Sequence, residues 1–321
     1  MILKSVFMFS LFFLPYLIMF TGFVVHPLIT LVLWITMGIG MAGIGLNIMH
    51  DANHGAFSSK RRINKFLSYS MNIIGANAEI WKIQHNELHH VYTNIHGVDD
   101  DIDTPSFLRF SPYTKLRRLH RFQFLYVWFF YSISTIFWIT TKEFMQLMRY
   151  RQRGLIQNPK KFRYLLSQLI GWKVFYYIYL ILIPLLFMPI TTGQFFVGFF
   201  TMHIVAGLVI SLIFQPAHVM PYCEYQRSDE GIEVPQDWAI HEMRTTNNFA
   251  QESKFFTWFV GGLNYQIEHH LFPQICHVHY NEISKIVKET ALEFGIKYNQ
   301  QKTFLQAIRL HTSMLYKLGR N

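Results

Sequence analysis

The chain has 321 residues, 51% of them hydrophobic and 17% aromatic, with only 15% charged and a formal net charge of +10. A soluble domain carries about 25% charged residues, so this composition excludes an ordinary soluble globule, and two cysteines exclude a disulfide scaffold or a zinc finger. The positive balance has two sources that composition does not separate: retention of basic loops on the cytoplasmic side of a membrane, or a docking surface for an acidic partner.

From Ser5 to His50 there is no Lys, Arg, Asp or Glu. One bilayer crossing takes about 20 apolar residues. The run therefore predicts a hairpin of two spans, roughly residues 5–25 and 28–49, turning between Gly22 and Pro27. Met1 to Phe20 has the basic start and apolar run of a secretory signal but no small-residue cleavage pattern, and is expected to stay as an anchor. The glycines from Gly38 to Gly45 lie inside a span and predict close helix packing rather than a phosphate loop.

His50-Asp51-Ala52-Asn53-His54 follows at once, and His85-Asn86-Glu87-Leu88-His89-His90 comes next. Asp99 to Asp103 reads either as a solvated acidic loop or, at Asp99, as a carboxylate for a nearby imidazole. Phe122 to Thr141 lacks acids and bases and is long enough to span, but a span here would put His218 on the opposite face from His50. Its aromatics and flanking bases, Lys115, Arg117, Arg118 and Arg121 among them, suit the interface instead.

A second uncharged run, Val174 to Cys223, predicts another hairpin with spans near 168–188 and 194–215, turning at Met188 to Gly193. All 29 Lys and Arg lie outside the two uncharged runs, which places both termini and the middle of the chain in the cytoplasm. His50 and His218 then surface together on that side. The expected fold is an all-α integral membrane protein: four transmembrane helices in two hairpins, with a helical cytoplasmic cap over residues 50–165 and 217–321, in one domain. Cys223 and Cys276 fall in the cap, where a disulfide is not expected.

The third group is Gln266-Ile267-Glu268-His269-His270. In each group two imidazole or amide side chains stand four apart, on one face of a helix. A site made almost wholly of imidazole suits Fe, Zn, Cu or Ni better than Mg or Ca, and three groups supply more nitrogen than one ion can use. Two metals are the economical reading. His26, His96, His120 and His311 stand alone and read as ordinary core or surface histidines. Other metal motifs fail: His241-Glu242 has Thr245 where a second His would complete a zinc protease motif, and no Glu-x-x-His pair is present.

These groups resemble the three histidine boxes of membrane fatty acid desaturases: HDANH at 50–54, HNELHH at 85–90 and QIEHH at 266–270, in order and at similar separations. GGLNYQIEHHLFP at 261–273 is closer still, because Gln as the first residue of the third box is typical of the front-end branch, which places a double bond between an existing one and the carboxyl end. Tyr92-Thr93-Asn94 and Asp99 to Asp103 extend the likeness.

The resemblance implies a di-iron centre, with one iron held by His50, His90, Gln266 and His270 and the other by His54, His85, His89, His218 and His269. Asp51, Asp99 and Glu268 would hold ligand imidazoles through the other ring nitrogen, with His241 beside the site or the substrate channel. It implies oxygen-dependent desaturation of an acyl chain on CoA or a membrane lipid, with O2 as co-substrate. Eukaryotic front-end enzymes carry a fused cytochrome b5 domain with a His-Pro-Gly-Gly motif. Here only His26-Pro27-Leu28 occurs, so a separate donor of ferredoxin or cytochrome b5 type is expected. A bacterial cytoplasmic membrane is the expected location, and no nucleic-acid partner is expected. The competing readings are a related di-iron hydroxylase acting on an alkyl chain, sterol or carotenoid, and a membrane haem or metal-handling protein. The last would place histidines near the bilayer midplane, where only His203 lies.

Overall fold

The computed structural model describes residues 1–227 and 237–321. Four helices are long and apolar enough to cross a membrane: Ile2–Phe20, Pro27–Asn53, Pro159–Phe187 and Thr192–His218. They are the four spans expected from the two uncharged runs, with bounds set by packing rather than by charge. The third begins at Pro159, well before the uncharged run, because Asn158 caps it by accepting from the Lys160 amide and Pro159 needs no partner at the first position. The expected interfacial segment is broken at Ile133 into Arg118–Ser132 and Ser134–Gln152, which are long and apolar enough only when taken together.

The described residues form two compact units. One comprises 1–53, 60–81 and 131–211; the other comprises 54–59, 82–130 and 212–321.

The first unit is an apolar helical scaffold. Gly22 supplies the left-handed turn (φ 74°) between the first two spans. A Cβ on Gly40 would lie 2.6 Å from the Phe12 amide nitrogen, so these helices meet backbone to backbone, as the glycine-rich stretch predicts. A Cβ on Gly198 would lie 2.1 Å from Trp34, whose ring packs edge-on against Phe195 at 5.7 Å. Large apolar side chains such as Phe7, Leu14, Val32, Leu182 and Val197 are exposed along the spans, as lipid contact requires. Two buried polar side chains inside this unit, Lys173 and His203, are fully partnered. Lys173 Nζ meets Glu143 at 2.6 Å and donates to the carbonyls of Gly75 and Trp138. His203 shares its ring nitrogens with Tyr176 OH at 2.8 Å and Thr135 Oγ1 at 3.1 Å. The one histidine well inside a span, away from its ends, is thus a satisfied packing residue.

The second unit packs the helices Trp238–Thr245, Gln266–Leu271 and Tyr280–Glu293 around Met243, Ile267, Val287 and Ala291. Two parallel strand pairs, each two residues long, join Ile95–His96 to Gln226–Arg227 and Asn248–Phe249 to Gln300–Gln301. Asn94 takes a left-handed conformation (φ 59°) and its side-chain amide donates to the carbonyls of His218 and Glu224. That ties the segment after the second histidine group to the end of the fourth span.

The glycine packing predicts a sharp contrast between two substitutions. Gly198→Ala forces Trp34 to move and should destabilise the protein by about 1–3 kcal/mol, as overpacking does, whereas Gly171→Ala meets nothing within 4 Å and should be neutral or mildly stabilising. Thermal unfolding of the two variants in the same detergent checks this.

Candidate metal centre

The second histidine group sits on a π-helical turn, Ile83–His89. The His90 amide donates to the His85 carbonyl, an i to i+5 bond. On an α-helix, His85 and His89 would share a face and His90 would point away. The wider turn brings His90 back over His85, with ring centroids 4.6 Å apart and Nε2 atoms 3.2 Å apart. All three imidazoles of the group therefore face inward. A second π-helical turn, Ile44–Met49, immediately precedes His50.

Two sets of imidazoles form in the second unit. In the first set, His89, His218 and His270 each offer a nitrogen within 4.8 Å of the others. Their Nε2 atoms are buried and have no hydrogen-bond partner among the described residues. Their Nδ1 atoms are all occupied: His89 on Asp99 at 3.0 Å, His270 on Glu242 at 2.7 Å and His218 on the Thr245 carbonyl at 3.4 Å. Each acceptor fixes the proton on Nδ1 and leaves the Nε2 lone pair facing the centre, as metal-binding histidines require. Asp99 is itself held by the amides of Asn94 and Asp101. Glu242 accepts from Thr93 Oγ1 at 2.9 Å.

In the second set, His54, His85 and His269 offer nitrogens within 4.8 Å of one another. His90 Nε2 lies 2.9 Å from His269 Nε2 and 3.2 Å from His85 Nε2. A neutral imidazole has one proton, so three converging Nε2 atoms cannot all be satisfied by hydrogen bonds among themselves; a shared cation would resolve the repulsion. His90 stacks on His270 at 4.3 Å, and His90, His269 and His270 also lie within ligand distance of one another, which joins the two sets. This differs from the division implied by the resemblance: His89 and His218 stand with His270, not with His54 and His85.

Charge differs between the rings. Burial and the surrounding imidazoles hold His90 and His270 well below the usual histidine range, so both rings are neutral lone-pair donors. Burial also disfavours charge on His89, but Asp99 and Asp101 overcome it and raise the ring to about 9, so a cation bound at this ring must displace its Nε2 proton. Burial lifts Glu242 well above the usual carboxylate range, against the Thr93 hydrogen bond. A buried carboxylate is costly unless positive charge stands nearby. The residues present fit transition-metal ions: an all-imidazole, water-excluded donor set, orphaned Nε2 atoms, and carboxylates placed to balance added positive charge.

The remaining expected residues are placed as follows. His50 is buried at the end of the second span in the first unit, its ring edge-on to Trp81 at 5.7 Å and its Nδ1 3.9 Å from Asp51. Gln266 is buried; its Nε2 donates to the Leu263 carbonyl at 2.7 Å, and its Oε1 has no hydrogen-bond partner among the described residues. His241 Nε2 bonds the Thr93 carbonyl at 2.7 Å, so it braces the residue that serves Glu242 rather than a ligand ring. Glu268 does not take up the expected role. Its carboxylate accepts from Asn248 Nδ2 and Tyr298 OH, both at 2.8 Å, and no imidazole bond to it occurs among the described residues. At the start of the short Gln266–Leu271 helix it faces away from the cluster and anchors that helix to the Asn248 strand.

Glu242, Thr93 and Asp101 were not legible as site residues. Glu242 gave one signal, the failed His-Glu motif. Asp101 lies 3.7 Å from His85 Nδ1 and 3.5 Å from His89 Nδ1, within the acidic stretch of which only Asp99 was singled out.

A fatty acid desaturase profile matches residues 25–302. The chain belongs to the fatty acid desaturase family. It is 34% identical over 289 residues to the sn-1 linoleoyl-lipid 6-desaturase of Arthrospira platensis, covering 89% of this chain and 77% of that one. The like-named enzyme of Synechocystis is 35% identical over 288 residues, covering 88% and 79%. The acyl-lipid (8-3)-desaturase of Physcomitrium patens is 31% identical over 321 residues, covering 99% and 66%. The chain is thus a fatty acid desaturase, an oxidoreductase with four apolar helices of membrane-spanning length.

In this desaturase the Nδ1 acceptors carry a direct prediction. Asp99→Asn or Glu242→Gln should lower metal affinity about 10–100-fold, the usual effect of removing such a partner. Glu268→Gln should leave metal content unchanged. Elemental analysis after dialysis against limiting metal distinguishes the two classes.

Proposed function

We propose that this desaturase inserts a double bond into the acyl chain of a membrane glycerolipid, on the carboxyl side of an existing double bond, using two non-haem irons, O2 and an external electron donor. The carrying observation is the seven-imidazole cluster, His54, His85, His89, His90, His218, His269 and His270, with the outer nitrogens of His89, His218 and His270 on acceptors and the inner ones converging. The lipid-linked substrate is supported by the printed activities of the relatives, and the direction of insertion by Gln266 in the third box.

The chemistry two ferrous ions supply in such a site is oxygen-dependent dehydrogenation: O2, two electrons and two protons take two hydrogens from neighbouring methylenes and leave as two waters. The chain's own residues do the rest. Asp99 and Glu242 keep the His89 and His270 protons on Nδ1, and burial of the imidazoles excludes bulk water from the oxidant. Gln266 adds to the ligand set in this reading, and the donor delivers electrons from the cytoplasm.

Expression in a host that accumulates a diunsaturated acyl chain tests the reading. Double-bond mapping by mass spectrometry of intact lipids should show a new double bond toward the carboxyl end, absent from the His89→Ala and His270→Ala variants. A hydroxylated chain, or insertion toward the methyl end, would overturn it.

Arg117 and Arg118 are exposed in the cap and suit an acidic ferredoxin or cytochrome b5. Turnover with limiting donor should fall as salt shortens the Debye length from about 10 Å at 0.1 M to about 3 Å at 1 M. Arg117→Glu/Arg118→Glu should weaken apparent donor affinity more than the saturated rate; equal donor titrations for variant and parent would leave these residues as membrane anchors.

A further inference from the structure

The Arg61–Ser68 helix is built inside out. Its buried positions are polar, Asn64 and Ser68, while its exposed positions are Arg61, Arg62, Ile63, Lys65 and Phe66. Phe66 is 76% exposed and Ile63 40%. One exposed apolar residue on a protein surface is ordinary. Two on one short helix, interleaved with three basic residues and backed by polar ones, is the pattern of a helix lying in a membrane interface.

The basic residues are also available. Among the described residues the side chains of Arg61, Arg62 and Lys65 have no ion-pair or hydrogen-bond partner. The packing of the helix fixes its level. It rests on the last turns of the second span, residues 44–53. Tyr69, which ends it, stacks on Trp172 at 5.7 Å, and Trp172 lies just before the point at which charge stops in the third span. Paired Tyr and Trp rings belong at the headgroup level.

We propose that the Arg61–Ser68 helix is a docking face for anionic glycerolipid headgroups of the surrounding bilayer. Ile63 and Phe66 enter the acyl boundary, and Arg61, Arg62 and Lys65 meet the phosphate oxygens, which the guanidinium fork matches in pairs. Each basic residue near an anionic surface adds about fivefold to binding at low salt, so the three together give a preference on the order of a hundredfold over a neutral headgroup. Basic residues after a span also orient the chain during insertion, but that role calls for neither Phe66 nor a lasting lipid preference. The proposal rests on the membrane placement of the four spans and not on the reaction, so its failure leaves the desaturase reading intact.

The test uses the full-length protein equilibrated with equimolar phosphatidylglycerol and phosphatidylcholine, with retained lipid quantified by mass spectrometry. The parent should enrich phosphatidylglycerol at least several-fold, and the enrichment should vanish at 1 M salt. Arg61→Gln/Arg62→Gln/Lys65→Gln should abolish it, while Lys285→Gln/Lys288→Gln, on a helix of the other unit, should not. In Phe66→Trp, the introduced indole should be quenched by acyl-brominated phosphatidylglycerol. The salt arm and the indole arm do not depend on the triple variant folding. A bulk lipid ratio in the parent, enrichment that persists in a folded triple variant, or an unquenched indole would overturn the proposal.

Discussion

An imidazole that binds a metal must give one nitrogen to the metal and the other to an acceptor, and the second unit is arranged around that requirement. Asp99 and Glu242 are buried carboxylates whose positions make sense only as partners of His89 and His270. Holding them requires further groups. The left-handed Asn94 aims its amide at Asp99, Thr93 bonds Glu242, and His241 bonds the Thr93 carbonyl. Three stretches far apart in sequence, around residues 93–101, 218–224 and 241–245, are brought together by these bonds and by the Asn94 side chain.

The first unit shows what a satisfied polar group looks like in the same protein. Lys173 uses its three protons on one carboxylate and two carbonyls, and His203 has a partner on each nitrogen. Burial in an apolar setting demands this, because each unmade hydrogen bond costs free energy that no water returns. The Nε2 atoms of His89, His218 and His270 differ in that they are buried without a hydrogen-bond partner among the described residues and lie within ligand distance of one another.

The sequence determined the parts that depend on composition and local spacing. Uncharged runs were enough to locate four membrane helices, since hydropathy alone decides insertion. The histidine groups and their order were enough to mark the site and to suggest the family. The glycines of the second span announced close packing because only glycine permits backbone contact there. Span ends were less legible: Pro159 starts the third helix well before the charge-free run, and caps, not hydropathy, set that boundary.

Tertiary structure alone decided how the imidazoles are shared. Helical spacing paired His85 with His89 and left His90 outside, whereas the π-helical turn reverses this and lets all three face inward; no residue in Ile83–His89 announces an i to i+5 bond. Nor could spacing tell Glu242 from Glu268. Both are acids beside histidines, yet one holds His270 and the other anchors a helix to Asn248 and Tyr298, because which carboxylate reaches a ring depends on contacts across 28 or 30 residues of chain. The Arg61–Ser68 helix makes the same point at the membrane surface: its composition is unremarkable, and only packing shows that its polar face is buried and its apolar and basic face turned out.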